Sequence, residues 1–536
     1  MMKKKCFLLI CAVAAALCLC SCAKNQDVGQ GTASDGQIRY RYVREELSLP
    51  VSGTYLVIYD ITACGNRIFV FCGTMDDNDD DMVQHNFVMD ISGNLLTEYP
   101  TLSSTDDSFI GFPVDYCLTE NGELITLERK TAYDRVDGVV QPNWDDTGST
   151  IAVRDENSGQ ITAEYPLDSR LKDPWQIECR GEQICICADR SLAVYDLSGA
   201  LLYFYESKGR IDSACFMTDG AVAVLESGDE YALGDKPTGQ RLLKIDAGGQ
   251  TAEEFMPLDG NVVKLISGAE YAFYMDNGSA LLGVDGGSRE TFEILNWTAS
   301  GVNGVNAAVQ SLGDGRFLYY DAYTAFLLKP SSVPYDQMIT LKLGTMDAYS
   351  VADIAADFNA SSERVQIEVV DYSQYDSADG STTGLDRLEL DILSGNGPDI
   401  YDLLTLPRKQ YEKTGRLVDL YPFMEKDDTL KNVELLPELL AQTETEGKLY
   451  TLIPAYGILT LTGDPDIIGT DAPLTLTEML GLYDKMGEGE NPFGIAMSKK
   501  DYIDTMVSLS NTVFVDWENR SCNFDSDQFA ALLEFA

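Results

Sequence analysis

The sequence predicts a multidomain chain in which an all-β, propeller-like domain of six or seven blades is followed by an α/β domain. Three observations predict it. Residues 39–333 repeat two turn signals at a spacing of about fifty residues, which is the length of one propeller blade. From residue 339 onward the apolar pattern changes from alternation to strands interleaved with helical periodicity. Residues 1–38 share neither pattern: an apolar leader, 1–21, is followed by a polar tether, 22–38.

The leader begins with Lys3, Lys4 and Lys5 and continues as an apolar run from Phe7 to Leu19. That run is short for a bilayer span and has the shape of a secretory signal. It ends in Leu19-Cys20-Ser21-Cys22, which resembles the lipobox of bacterial lipoproteins. The resemblance implies that Cys22 becomes the new N-terminus and carries the lipid, placing the protein on the extracellular face of the cell membrane. An uncleaved signal anchor is the alternative. Residues from Ala23 to about Gln37 are polar and contain Gly and Ser, as a flexible tether does.

The 536 residues are too many for one core. A formal charge of −47 argues against a nucleic-acid partner. The acidity fits solubility at a crowded surface, with cation gathering as the alternative. Eight cysteines lie beyond the leader: Cys64, Cys72, Cys117, Cys179, Cys185, Cys187, Cys215 and Cys522. In a chain this large they read as small buried hydrophobes with free thiols, and Cys185 and Cys187, two apart in a strand, point to one face. No Cys-x-x-Cys pair occurs and His85 is the lone histidine, so neither zinc nor any other cofactor is expected.

Between Arg39 and Leu328 a Gly-containing turn precedes an apolar strand at Gly65, Gly122, Gly181, Gly220, Gly268 and Gly315. A second signal, a strand ending in Asp before a Gly-containing turn, recurs at Asp90, Asp155, Asp196, Asp246 and Asp285. The two alternate, as successive hairpins of a blade do. Radial stacking would bury the faces that one blade leaves open. A strand within Arg39–Leu49 could complete the last blade; two β-sandwiches are the alternative architecture. The acidic run Asp76, Asp77, Asp79, Asp80 and Asp81 reads as a solvated loop, or as oxygen ligands for calcium. No nucleophile, base and orienter group together, and the commonest general base is almost missing.

After Ser331-Ser332-Val333-Pro334, a strand is expected from Ile339 to Leu343. Ser350 is expected to cap a helix with Asp353 three residues on, burying Val351, Ile354, Ala355 and Phe358. A second strand, Val365 to Val370, precedes a helix carrying Leu385, Leu388, Ile392 and Leu393 that stops at Gly395. A third strand, Asp399 to Leu404, leads to a helix ending at Gly415. Strand and helix in alternation imply a parallel sheet.

The order of short motifs here resembles the family 1 extracellular solute-binding proteins, the receptors of ABC importers. The motifs are Asp357-Phe358-Asn359, the strand at Val365-Gln366-Ile367-Glu368-Val369, and Gly397-Pro398-Asp399-Ile400-Tyr401. Tyr411 through Leu420, Gly447 through Pro454 and Pro473 through Glu478 follow in order. Leu476 stands where the family usually has an aromatic, and Thr462-Gly463 replaces a polar aromatic stretch. The resemblance covers 339–536 and implies a two-lobed clamp; a member of this family is longer than the stretch after Ile339, so the domain is expected to be incomplete at its C-terminus. Ligands of open α/β sheets bind beyond the carboxyl ends of the strands. That means the loop Met346-Asp347-Ala348-Tyr349-Ser350 and the strand end at Tyr401-Asp402; Asp347 and Asp402 are the candidate carboxylates for a sugar, and Tyr349, Tyr401, Tyr456 and Trp517 the candidate stacking aromatics.

Three functions follow as expectations. The first is a lipid-anchored receptor that passes an oligosaccharide or another small solute to the permease subunits of an ABC importer, with the propeller for recognition or docking. The second is a surface sensor or adhesion protein that binds a partner without transport. The third is a propeller hydrolase, for which no site is visible in the sequence; the chain is expected not to be an enzyme.

Overall fold

The computed structural model describes residues 40–535 except 76–81, 106–108, 137–138, 229–238, 247, 250, 259–261, 305–306, 335–336, 377–382, 405, 429, 433–435, 454–474, 482–497, 510, 517–518 and 520. It divides into two units, 1–454 and 455–536. The acidic run beginning at Asp76 lies outside the described residues, as does the lipobox.

The first unit holds a six-bladed β-propeller. β1 (Tyr40–Glu46) is the N-terminal strand. Blade 1 is β2 (Tyr55–Cys64), β3 (Arg67–Met75), β4 (Val83–Asp90) and β5 (Leu95–Tyr99). Blade 2 has five strands, β6 (Ser104–Thr105), β7 (Phe109–Leu118), β8 (Leu124–Val136), β9 (Val139–Arg154) and β10 (Ile161–Pro166). Blade 3 is β11 (Gln176–Arg180), β12 (Gln183–Ala188), β13 (Ser191–Asp196) and β14 (Leu201–Glu206). Blade 4 is β15 (Arg210–Phe216), β16 (Val222–Ser227), β17 (Arg241–Ile245) and β18 (Ala252–Met256). Blade 5 is β19 (Lys264–Ser267), β20 (Phe273–Asp276), β21 (Ala280–Val284) and β22 (Thr291–Asn296). Blade 6 takes β23 (Ala308–Ser311), β24 (Phe317–Tyr320) and β25 (Ala325–Pro334) from this end of the chain, and its fourth strand is β1. β1 lies antiparallel to β25, with Arg44 opposite Leu328 and Glu46 opposite Phe326. The ring is thereby closed by backbone hydrogen bonds between its two ends.

Each recurrent turn has one place in this plan. The Gly turns join the first and second strands of a blade, or β7 and β8 in five-stranded blade 2; Gly65, Gly122, Gly181, Gly220 and Gly315 sit at positive φ there, where a side chain is strained. The Asp turns join the last two strands in blades 1 to 5. In each, the carboxylate accepts backbone N–H groups of its own turn, as Asp196 does from Ser198 and Ala200 at 2.9 Å each. Six hydrophobic clusters fill the six gaps between neighbouring blades. No blade owns a core of its own, so closure of the ring is what buries the apolar faces. Cys185 and Cys187 share the cluster between blades 3 and 4, both buried.

One expectation about the thiols is corrected: Cys117 on β7 and Cys179 on β11 form a disulfide, with Cα atoms 5.9 Å apart. Their innermost strands face each other across a blade boundary, a proximity that their separation of 62 residues conceals.

After the propeller come β26 (Ile339–Thr345), α1 (Ala348–Ser361), β27 (Val365–Asp371), α2 (Gly384–Ser394) and β28 (Ile400–Tyr401). The strands form a parallel sheet in the order β27-β26-β28. Ala355 and Phe358 of α1 pack on Leu341 and Ile367 of the sheet. Two local expectations are corrected. The N-cap position of α1 belongs to Asp347, because β26 ends at Thr345, and Ser350 sits inside the first turn, donating its hydroxyl to the Asp347 carbonyl at 2.9 Å. On α2, Leu388 is fully buried but Leu385 and Leu393 are exposed, so the apolar face is narrower than its spacing suggested. α2 is started by a capping box between Thr383 and Asp386 and ends at Gly395 in the left-handed region.

In the second unit, Leu476, Tyr502, Met506, Phe514 and Leu532 form a small core. No described helix is long and apolar enough to cross a membrane.

Candidate functional site

Two places gather polar side chains that packing alone does not explain. The first is the carboxyl end of the parallel sheet. β26 delivers Thr345, fully buried, to the point where Asp347 and Asp402 meet. The Thr345 hydroxyl accepts the Asp347 backbone N–H at 2.9 Å and lies 2.8 Å from Asp402 Oδ2 and 3.0 Å from the Asp347 carbonyl. Its single proton is best used on the carboxylate, where the bond is charge-assisted. Asp402 is held further by its own N–H on the Gly344 carbonyl and by Leu404 N–H on Oδ1. Gly344 has to be glycine here: an added Cβ would lie 2.4 Å from Pro398 Cγ. The sheet end thus holds one carboxylate fixed by two hydrogen bonds, beside a second, Asp347, that faces solvent.

The aromatic candidates are distributed unevenly. Tyr349, in the first turn of α1, is 68 % exposed and offers a free ring face next to Asp347. Tyr401 is half-buried, its ring edge-on to Tyr411 at 5.5 Å. Burial raises the Tyr401 hydroxyl above its ordinary pKa, so that residue is engaged in packing as well as placed at the strand end. Tyr456, Trp517 and Cys22 lie outside the described residues. The structure therefore brings Asp347, Tyr349, Tyr401 and Asp402 to one sheet end.

The second place is the axis of the propeller, which the sequence reading missed. Asp60 on β2, Asp115 on β7 and Glu178 on β11 are charged residues on the innermost strands of blades 1, 2 and 3. Asp60 accepts the Tyr320 hydroxyl at 2.6 Å and lies close enough to Asp115 for the two carboxyls to interact electrostatically. Asp115 accepts the Ile177 N–H at 2.7 Å. Glu178 reaches Ser267 of blade 5 and the backbone of Phe216 in blade 4. Lys264 of blade 5 acts electrostatically on all three carboxyls, and blades 1 and 5 are not neighbours, so that interaction crosses the axis. Burial raises all three carboxyls, Asp115 further through the adjacent Asp60, and Glu178 to about 7. Innermost strands stitch two further boundaries: Gln310 exchanges two hydrogen bonds with the Ala63 backbone between blades 6 and 1, and Ser213 accepts Leu265 N–H between blades 4 and 5. A single acidic residue in the strand before the Gly turn of three successive repeats was the available signal.

No group of His, Cys, Asp and Glu among the described residues has the arrangement of a metal site. No protein-family model matches the chain, and no curated protein matches its sequence. Solved β-propellers do. Virginiamycin B lyase from Staphylococcus aureus is 13 % identical, aligned over 54 % of this chain and 100 % of its own, with a TM-score of 0.33. The Pan2 WD40 domain of Neurospora crassa is 9 % identical over 56 % of this chain and 98 % of its own, TM-score 0.32. The propeller domain of the Trilobed protease from Pyrococcus furiosus is 11 % identical over 53 % and 100 %, TM-score 0.29. Likenesses of this size say nothing of activity. The class of protein defined by the strands themselves is a six-bladed β-propeller joined to a parallel α/β unit.

Proposed function

We propose that the chain is a lipid-anchored extracellular solute-binding protein, held to the membrane through Cys22, whose α/β unit receives an oligosaccharide for the permease subunits of an ABC importer. The observation that carries this reading is the sheet end, where a fixed carboxylate, Asp402, stands with a solvent-facing one, Asp347, and an exposed ring, Tyr349. Paired carboxylates take sugar hydroxyls, and a free aromatic face takes the C–H surface of a pyranose. The resemblance of residues 339–536 to family 1 receptors supports the same reading. The propeller then serves recognition or docking, and the net charge of −47 suits a protein that works in solvent, away from nucleic acid.

Two measurements test it. Metabolic labelling with a lipid precursor should mark the wild type and leave Cys22→Ala unlabelled and uncleaved. Calorimetric titration of the protein with a panel of oligosaccharides should find at least one that binds, with heat lost in Asp402→Asn. Binding of peptides or polyamines in place of every sugar would overturn the carbohydrate assignment, and an unlabelled wild type would overturn the anchor.

A further inference from the structure

The strand that closes the ring also grips the α/β unit. Arg41 on β1 is buried, yet its guanidinium leaves the propeller: Nη1 donates to the Ser362 carbonyl at 2.6 Å and Nη2 to the Asn359 carbonyl. These are carbonyls at the C-terminal end of α1, where helices leave acceptors unsatisfied and where a cation is favoured by the helix dipole. Arg44, three residues further along β1 and past the irregularity between Tyr40 and Tyr42, donates to the Gly301 carbonyl at 2.6 Å and to Asp357 Oδ1 on α1 at 3.1 Å. Asn303 donates to Asp353 Oδ1 at 2.9 Å.

Asn359 joins the two bodies from the other side. It is fully buried; its amide nitrogen lies 2.5 Å from the Thr298 carbonyl of the propeller and 2.8 Å from the Ile367 carbonyl of β27, and its oxygen accepts Ile367 N–H at 2.7 Å. Beside it Gly301, at φ 80°, approaches α1 so closely that an added Cβ would stand 3.1 Å from Ala360 Cβ. The contact is therefore close-packed, and side chains cross it in both directions: Arg41 of β1 holds carbonyls of α1, and Asn359 of α1 holds the Thr298 carbonyl of the propeller.

We infer that β1 is a latch with two duties: it completes blade 6 and it seats α1, so that the propeller is the fixed mount of the α/β unit. α1 has 14 residues, its clamped end at Asn359 and its free end at Asp347 and Tyr349. The mount thus fixes the sheet-end site to the strand into which the N-terminal segment runs. This holds whatever the α/β unit binds, so it stands or falls apart from the solute assignment.

A protease site inserted after Pro334 of the full chain provides the test. Cut under native conditions at near-physiological salt, the wild type should elute as one body. Hydrogen exchange should be slow both in β1 and in the C-terminal turn of α1. Arg41→Ala should speed exchange in both places by about 10-fold or more, as loss of a charged hydrogen bond does, and should let the cut pieces separate. Unchanged exchange at Ile184–Cys187 in blade 3 reports that the ring is still folded. Arg44→Ala, which leaves the guanidinium of Arg41 in place, should move the same two segments by less. Separation of the cut wild type, or faster exchange on one side only in Arg41→Ala, would overturn the inference.

Discussion

Asp60 of blade 1 accepts the Tyr320 hydroxyl of blade 6 at 2.6 Å at the propeller axis; Asp115 of blade 2 and Glu178 of blade 3 stand in the same field. Their common feature is a carboxyl that is easier to protonate folded than unfolded. For Glu178 the folded pKa is about 7 against an ordinary 4.5, with burial as the cause and Ser267, Phe216, Arg180 and Lys264 opposing it. Between these values the folded chain holds a proton that the unfolded chain has lost. Stability from this group is therefore full below about 4.5 and falls as pH rises to about 7, by on the order of 2 kcal/mol. Glu178→Gln should remove that fall. Urea midpoints of wild type and variant from pH 4.5 to 7.5 measure it, and parallel curves would refute the assignment.

Arg154 and Glu128 form an ion pair sealed inside blade 2, Nη2 to Oε1 2.7 Å, with 4 % and 0 % of the side chains exposed. Arg154 also donates to the carbonyls of Gly159 and Leu102 and to Thr126. Removing one partner strands a buried charge. Arg154→Met is expected to cost about 3–5 kcal/mol, and the double variant Glu128→Leu with Arg154→Met less than either single change. Chemical denaturation of the three variants decides; additive losses would contradict the pairing.

The disulfide between Cys117 and Cys179 ties the innermost strands of blades 2 and 3. Non-reducing peptide mapping should recover the two cysteines in one linked peptide. Reduction should lower stability by about 2–4 kcal/mol, because the bridge closes a long loop of the unfolded chain. Alkylation of both thiols without prior reduction would show the bridge absent.

Much of this fold was legible in the sequence because a propeller writes its period into its turns. Gly65 and its counterparts mark a hairpin in all six blades, and Asp90 and its counterparts a second one in blades 1 to 5, so the repeat and the closing strand near Arg39 could be read directly. The axis could not. Asp60, Asp115 and Glu178 are separated by more than fifty residues each and look like ordinary surface charges; only closure of the ring brings them together. For the same reason the pairing of Cys117 with Cys179 was hidden. In the α/β unit, periodicity located α1 and α2 but misplaced the start of α1, because the side chain that looked like a cap, Ser350, is already in the helix. The carboxylates at the sheet end were found from topology, whereas the Thr345 hydroxyl that fixes Asp402 has no signature of its own.

The final prediction separates the sheet end from the propeller. Tyr349 is exposed and carries no ring partner among the described contacts, so its removal should leave stability nearly unchanged. A stacked ring contributes roughly 0.5–1.5 kcal/mol beyond buried area, which is about 2- to 12-fold in affinity. Tyr349→Ala should therefore weaken binding of an oligosaccharide within that range. Asp402→Asn should cost more, because it removes charge from a carboxylate already held in place by Thr345 and Leu404. Cys185→Ala, which empties space between blades 3 and 4, should lower the melting temperature and leave affinity alone. Calorimetry and thermal melts on the same three samples give both readouts. A ligand whose affinity follows Cys185 and ignores Tyr349 and Asp402 would place the binding site in the propeller and away from the sheet end.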